Sequence, residues 1–209
     1  MNNTQIQEQL ARDIGSFYDN PLAHVMYSYP WGSGQLQGRT GPQAWQRDYL
    51  EEVGREVRAR GFNGTDAVAP LQMSTASGHG IGKSALVAWL IRWIMDTRPF
   101  AKGVVTANTG EQLRTKTWSE LAKWHGMGIT QHWWTLNASM GSMNMYHKDY
   151  PQQWRVDAQT CREENSESFA GLHAANSTPF FIFDEASGVP DKIFEVREGG
   201  MTDGEPMTF

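Results

Sequence analysis
From Ser84 the chain runs Ala85-Leu86-Val87-Ala88-Trp89-Leu90-Ile91-Arg92-Trp93-Ile94-Met95, with no Gly or Pro before Pro99. The run is long enough for a helix and apolar nearly all round, as in a helix packed between a sheet and other elements. Upstream, Leu71 to Ala76 has the length of a short buried strand. Ala101 to Asn108 predicts the next strand, and Gly110 to His125 a helix with Leu113, Trp118, Leu121 and Trp124 as its apolar positions. Trp154 to Thr160 alternates and predicts another strand. Pro179-Phe180-Phe181-Ile182-Phe183 is an aromatic and β-branched run of the kind buried in a parallel sheet, and a further helix starts at Asp191. Toward the N-terminus, Gln5 to Phe17 predicts an amphipathic helix, Tyr27 to Gly34 a turn and loop, and Pro42 to Gly61 a helix through Trp45, Tyr49, Leu50, Val53 and Val57. Alternating strands and helices predict an α/β fold with a mainly parallel sheet and helices on both faces. Residues 1–40 are expected to form an N-terminal extension and 41–209 the main domain.

The junction between the first strand and the apolar helix carries the chemistry. Ser77-Gly78-His79-Gly80-Ile81-Gly82-Lys83-Ser84 ends in Gly-Lys-Ser, the core of a phosphate-binding loop. Such a loop wraps backbone N–H groups around nucleotide phosphates, and the helix behind it adds its positive N-terminal end. Lys83 is expected to reach the outer phosphates and the Ser84 hydroxyl to ligate Mg²⁺. Ser77 stands where the common pattern has its first Gly; Gly78, Gly80 and Gly82 keep the backbone free to approach a ligand closely. A Gly-rich turn with an incidental Lys is the bland alternative. Strand, loop and helix in the required order argue against it.

The Phe180 run ends in Asp184-Glu185. In open α/β sheets, ligands bind just beyond the strand C-termini, so these carboxylates are expected at the same site as the loop. Asp184 is expected to hold Mg²⁺ through a water, and Glu185 to polarise the water that attacks the γ-phosphate. A Glu beside the metal-binding Asp suits hydrolysis better than transfer to a substrate hydroxyl.

Composition excludes more than it assigns. At 209 residues, with 39% hydrophobic and 20% charged, the chain suits one good-sized globular domain plus an extension. It lacks the roughly 18 consecutive apolar residues of a membrane span, and its polar start lacks a signal pattern. Cys161 is alone, which excludes an internal disulfide and a multi-cysteine zinc site and favours a reducing, cytoplasmic setting. The net charge of −5 does not advertise nucleic-acid binding. A local basic patch would have to come from residues such as Arg92, Arg98, Lys102, Arg114, Lys116 and Lys123, for which an ordinary solvated face is the simpler reading. The nine tryptophans are better explained by packing than by base stacking.

From about Gly41 onward the chain resembles the ATPase domain of a tailed-phage terminase large subunit, the motor that packages double-stranded DNA into procapsids. The resemblance rests on Pro42-Gln43-Ala44-Trp45-Gln46, on Ala76 to Ser84, on Thr106-Ala107-Asn108-Thr109-Gly110-Glu111-Gln112 and on Phe181-Ile182-Phe183-Asp184-Glu185-Ala186. It implies a P-loop NTPase fold of the ASCE type, ATP and Mg²⁺ as ligands, and Gln46 as a reader of adenine. It further implies a homo-oligomeric ring at the procapsid portal in the host cytoplasm, with double-stranded DNA, portal protein and a small terminase subunit as partners. Many terminases carry an arginine inside the phosphate loop, where this chain has His79; an arginine finger is then expected elsewhere, with Arg162 and Arg114 as candidates. Pro206-Met207-Thr208-Phe209 is expected to begin the next ATPase strand. The family's nuclease domain follows later, so no nuclease is expected here.

Three rivals share much of this pattern. A helicase or AAA-type motor would use the same loop and acids; a small-molecule or nucleotide kinase would lack the need for Glu185; a nucleotide-binding assembly module would turn over little.

Overall fold
A computed structural model of the chain describes residues 2–75, 80–139, 141–160, 177–184, 191–199, 201–202 and 204–209. The N-terminal part holds α1 (Asn3–Gly15), α2 (Pro21–Ser28) and α3 (Ala44–Ala59). Then come β1 (Leu71–Gln72), α4 (Lys83–Thr97), β2 (Lys102–Thr106) and one long helix in three pieces. Those pieces are α5 (Gly110–Gln112), a π-helical stretch Leu113–Trp118, and α6 (Ser119–Met127). After it follow β3 (Trp134–Asn137), β4 (Asn144–His147), β5 (Arg155–Ala158), β6 (Pro179–Phe183), α7 (Asp191–Gly199) and β7 (Met207–Thr208).

The seven strands among the described residues form one sheet in the order β1-β7-β6-β2-β5-β4-β3. Pairing is parallel from β1 to β5 and antiparallel through β4 and β3. The sheet is thus mainly parallel, as expected, with an antiparallel hairpin added at one edge. The sequence pattern predicts neither that hairpin nor α2, which precedes the expected Tyr27–Gly34 loop and overlaps only its first two residues. β7 forms at the expected Pro206-Phe209 segment and lies between the phosphate-loop strand β1 and the acid-bearing strand β6.

Period-two alternation sends the side chains of the central strands to opposite faces. Val105, Phe180 and Ile182 join the main core with Trp89, Trp93 and Leu121. Val104, Phe181 and Phe183 pack on the other side with Ile193 of α7. Helices therefore cover both faces, which explains why β6 is buried at every position. The closest approach lies at the β2–β6 register, where Gly103 stands opposite Phe180. The Phe180 ring fills the place a Cβ at Gly103 would need.

All nine tryptophans belong to the main core or pack against it. Trp31, Trp89 and Trp124 meet with ring centroids 4.8–6.0 Å apart. Among the N-terminal helices, α2 joins this core through Val25, and Ile14 of α1 is also buried. Phe17 and Tyr18 offer backbone carbonyls to Trp93 Nε1 (2.8 Å) and Arg98 Nη2 (2.8 Å).

Two of the basic residues considered for a polyanion patch are interior. Arg92 is 1% exposed and Arg98 2%. Arg98 lies between the rings of Tyr18 and Trp93, at 4.1 and 4.2 Å from their centroids. Arg92 pairs with Asp96 one turn on (3.0 Å) and donates to Nδ1 of His125 (3.1 Å). Asp96 matches the Arg92 charge there, and two rings and the Tyr18 carbonyl hold Arg98, so neither can reach a polyanion.

Gly103→Ala forces the β2 backbone and the Phe180 ring apart. It should lower stability by about 1–3 kcal/mol or more in denaturant titration, the usual range for overpacking. Acid should act through the Arg92 network. Burial, followed by the Arg92 charge, holds His125 down at about 4 from its ordinary 6.5. The unfolded chain therefore takes up this proton first, and stability is lost as pH falls from 6.5 toward 4. Burial pushes the Asp96 carboxyl up, but Arg92, His24 and Thr130 outweigh it and hold it below the usual range, so its contribution is lost only at still lower pH. His125→Gln should flatten the fall in melting temperature between pH 7 and pH 5; an unchanged slope would remove His125 as its source.

Candidate functional site
The turn into α4 is built by glycine. Gly80 and Gly82 both hold left-handed backbone, at φ +79° and +92°. Gly82 caps the N-terminus of α4, which opens on Lys83 and Ser84. A side chain at position 82 would be strained by that φ and would also press on the Gln46 amide, whose Nε2 lies 2.9 Å from the Cβ position. The positive end of the α4 dipole lies at this turn.

Beside it is a cleft of about 380 Å³ lined by Gly80, Gly82, Lys83, Ser84, Ala85, Lys116, Glu120 and Asp184. Asp184 arrives from the end of β6, its backbone N–H bonded to the Thr106 carbonyl at the end of β2 (2.8 Å). The structure thus brings together the two halves that the sequence holds roughly a hundred residues apart, Gly-Lys-Ser and the first acid of Asp184-Glu185. An ammonium, a hydroxyl and a carboxylate share one concavity at a helix N-terminus. This arrangement suits a phosphorylated ligand with a hard cation. Ser84 and Asp184, both in the lining, carry oxygen donors of the kind Mg²⁺ takes.

The other expected site residues are placed differently. Gln46 is 3% exposed and turned to the loop backbone rather than to the cleft. Its Nε2 donates to the Gly82 carbonyl (2.9 Å), and its Oε1 accepts from the Gln43 N–H at the start of α3 (2.8 Å). In this arrangement the amide ties α3 to the glycine turn before α4. Arg114 is away from the cleft lining, on the exposed helix surface, paired with Glu111 (2.7 Å). Ile81 is half-buried beside the loop. Ser77, Gly78, His79, Glu185 and Arg162 lie outside the described residues.

Three residues at the cleft escaped the sequence reading of the site. Lys116 and Glu120 line it, and Thr117, fully buried, donates its hydroxyl to Asp184 Oδ2. All three come from the π-helical stretch or the turn after it. Their only signal in sequence is position: they follow the strand that neighbours β6.

No protein-family model matches the chain. A probable terminase large subunit of Enterobacteria phage P7 is 26% identical over 181 residues, covering 85% of this chain and 33% of that protein. The HK97 bacteriophage large terminase is similar in fold, with a TM-score of 0.57 and 17% identity over 91% of this chain and 37% of its own. A large terminase from a thermophilic bacteriophage, solved in complex with ADP, gives 0.48 and 14% identity over 68% and 32%. The chain resembles phage large terminases, has an α/β P-loop NTPase fold, and spans about a third of the length of these proteins.

Gln46→Ala removes the bond that ties α3 to Gly82 and the capping bond at the start of α3, and leaves a gap beneath Gly82. It should cost about 1–3 kcal/mol of stability, read as a shift in the unfolding midpoint. A midpoint equal to that of the parent would show that the tie is not formed in solution.

Proposed function
We propose that this chain is the ATP-hydrolysing motor domain of a viral terminase large subunit, acting on double-stranded DNA during procapsid packaging. The observation that carries this is the shared cleft: Lys83 and Ser84 at the N-terminus of α4 face Asp184 at the C-terminal end of β6. The similarity to phage large terminases supports the reading of the motor's task.

ATP lies along the α4 N-terminus, with backbone N–H groups and Lys83 taking the β- and γ-phosphates. Ser84 and Asp184 hold Mg²⁺, which neutralises charge on the phosphate oxygens when bound. Glu185, next to Asp184 in sequence, orients the attacking water. Because Ser84 sits on the first turn of α4 and Asp184 at a strand end, both groups are fixed by backbone, and the gain comes from positioning and electrostatics. Gln46 reads adenine only by exchanging its bond to Gly82, which couples base recognition to the loop. The cation that offsets developing charge is Arg162 or an arginine from a neighbouring copy; Arg114 would first have to leave Glu111. A ring of copies at the portal, with portal protein and small subunit as partners in the host cytoplasm, completes the proposal.

Lys83→Ala should weaken nucleotide binding and abolish turnover, whereas Glu185→Gln should bind ATP and hydrolyse it about 10²–10⁴-fold more slowly. Equal ATP affinity in the parent and Lys83→Ala would sink the phosphate-loop assignment. Retained hydrolysis in Glu185→Gln would free Glu185 of its role. Phosphate release measured with and without double-stranded DNA separates a DNA motor, which is stimulated, from an assembly module, which is not.

A further inference from the structure
A threonine inside a helix can turn its hydroxyl back to the carbonyl four residues earlier. Thr97 does so to Trp93 (2.6 Å) and Thr115 to Glu111 (2.7 Å). Thr117 does not. Its hydroxyl crosses from the helix to the end of β6 and donates to Asp184 Oδ2. The carboxylate is acceptor-only, so the proton in this bond belongs to the threonine.

The backbone around Thr117 is built for this crossing. Leu113–Trp118 is π-helical, within a helix that is α-helical on both sides. Such local widening costs backbone energy and recurs at functional sites. The stretch is held at both ends: Thr109 caps the helix start by accepting from the Gln112 N–H (3.1 Å), and Trp118 Nε1 donates to the Asn137 carbonyl of β3 (2.8 Å). Leu113, Thr117 and Trp118 are all fully buried. On the same stretch Lys116 lines the cleft, one residue before Thr117.

From this geometry we infer that Thr117 is a positioning residue for the cation site: it fixes the Asp184 carboxylate so that Oδ1 is left to serve Mg²⁺. The inference rests on the nucleotide-binding reading above and goes beyond it by assigning the group that orients the acid. A carboxylate with one oxygen held by a rigid donor loses little torsional freedom when it binds a cation, or a cation-bound water. The donor is neutral, so it orients the acid without offsetting the charge that the cation needs. The hairpin strand β3 reaches the site by the same route, through Trp118.

The test measures binding rather than turnover. Affinity for a fluorescent ADP analogue is titrated against Mg²⁺, and against EDTA, in the parent chain, Thr117→Val and Thr117→Ser. Valine keeps the shape and removes the hydroxyl; serine keeps the hydroxyl. Thr117→Val should raise the Mg²⁺ concentration for half-maximal effect by about 10–100-fold, the usual cost of losing a hydrogen bond to a metal ligand, while affinity in EDTA is unchanged. Thr117→Ser should return near the parent. If valine unfolds the chain, Thr117→Ala carries the same expectation. A valine variant with the parent's Mg²⁺ dependence overturns the inference, as does one that weakens nucleotide equally with and without Mg²⁺. A parent chain that binds no nucleotide would overturn the reading beneath it as well, and is seen before any variant is made.

Discussion
The carboxylate of Asp96 accepts hydrogen bonds from Arg92, His24, Thr130 and Trp134, at 2.8–3.2 Å. Those partners come from α4 itself, from α2, from the loop after α6 and from β3. A buried charge left short of partners is costly, so each of these segments is held to the last turn of α4. The helix is thereby fixed at the end remote from the cleft, and its other end is where Lys83 and Ser84 stand. Arg92 completes the arrangement by bonding Thr130 and the unprotonated face of His125. The N-terminal helix α2 is thus part of the frame that positions the glycine turn at the start of α4.

The two sides of the cleft are each braced by a single polar side chain from a neighbouring element. On the loop side Gln46 of α3 bonds the carbonyl of Gly82; on the acid side Thr117 bonds Asp184. Neither brace is a covalent or metal link, and both are buried or nearly so. Shielding from water gives them leverage, because a hydrogen bond without competing solvent defines geometry more sharply. A strand order that places β7 between β1 and β6 sets the distance the two braces must hold.

What could be read from sequence was what is contiguous. The Gly-Lys-Ser turn, the all-round apolar helix behind it and the aromatic strand ending in Asp184 each occupy one uninterrupted stretch, and each forms where its pattern lies. The burial of the tryptophans followed from their number and size. What escaped depends on partners distant in the chain. The β3–β4 hairpin uses four-residue strands with mixed polarity, too short for a period to declare itself. The π-helical stretch changes the helix face by a local widening that periodicity does not encode. Arg92 and Arg98 looked like surface cations because their matching groups, Asp96 aside, come from elsewhere: His125, Thr130 and the carbonyl and ring of Tyr18. Gln46 carried an adenine-edge amide in sequence, yet the fold gives it a carbonyl to hold.

The position of β7 bears on how the chain acquires its structure. Leu71 pairs with Met207 and Phe180 pairs with Met207 from the other side, so the last of the described strands is an interior one. As the polypeptide is synthesised, β1 and β6 have no direct ladder with each other and wait across a slot one strand wide. Such a slot exposes two unpaired strand edges, a state prone to wrong pairing. Closure by Met207 and Thr208 is a highly non-local event, which slows folding and makes it cooperative. The two sides of the cleft are therefore joined through one sheet only once β7 has paired with both β1 and β6.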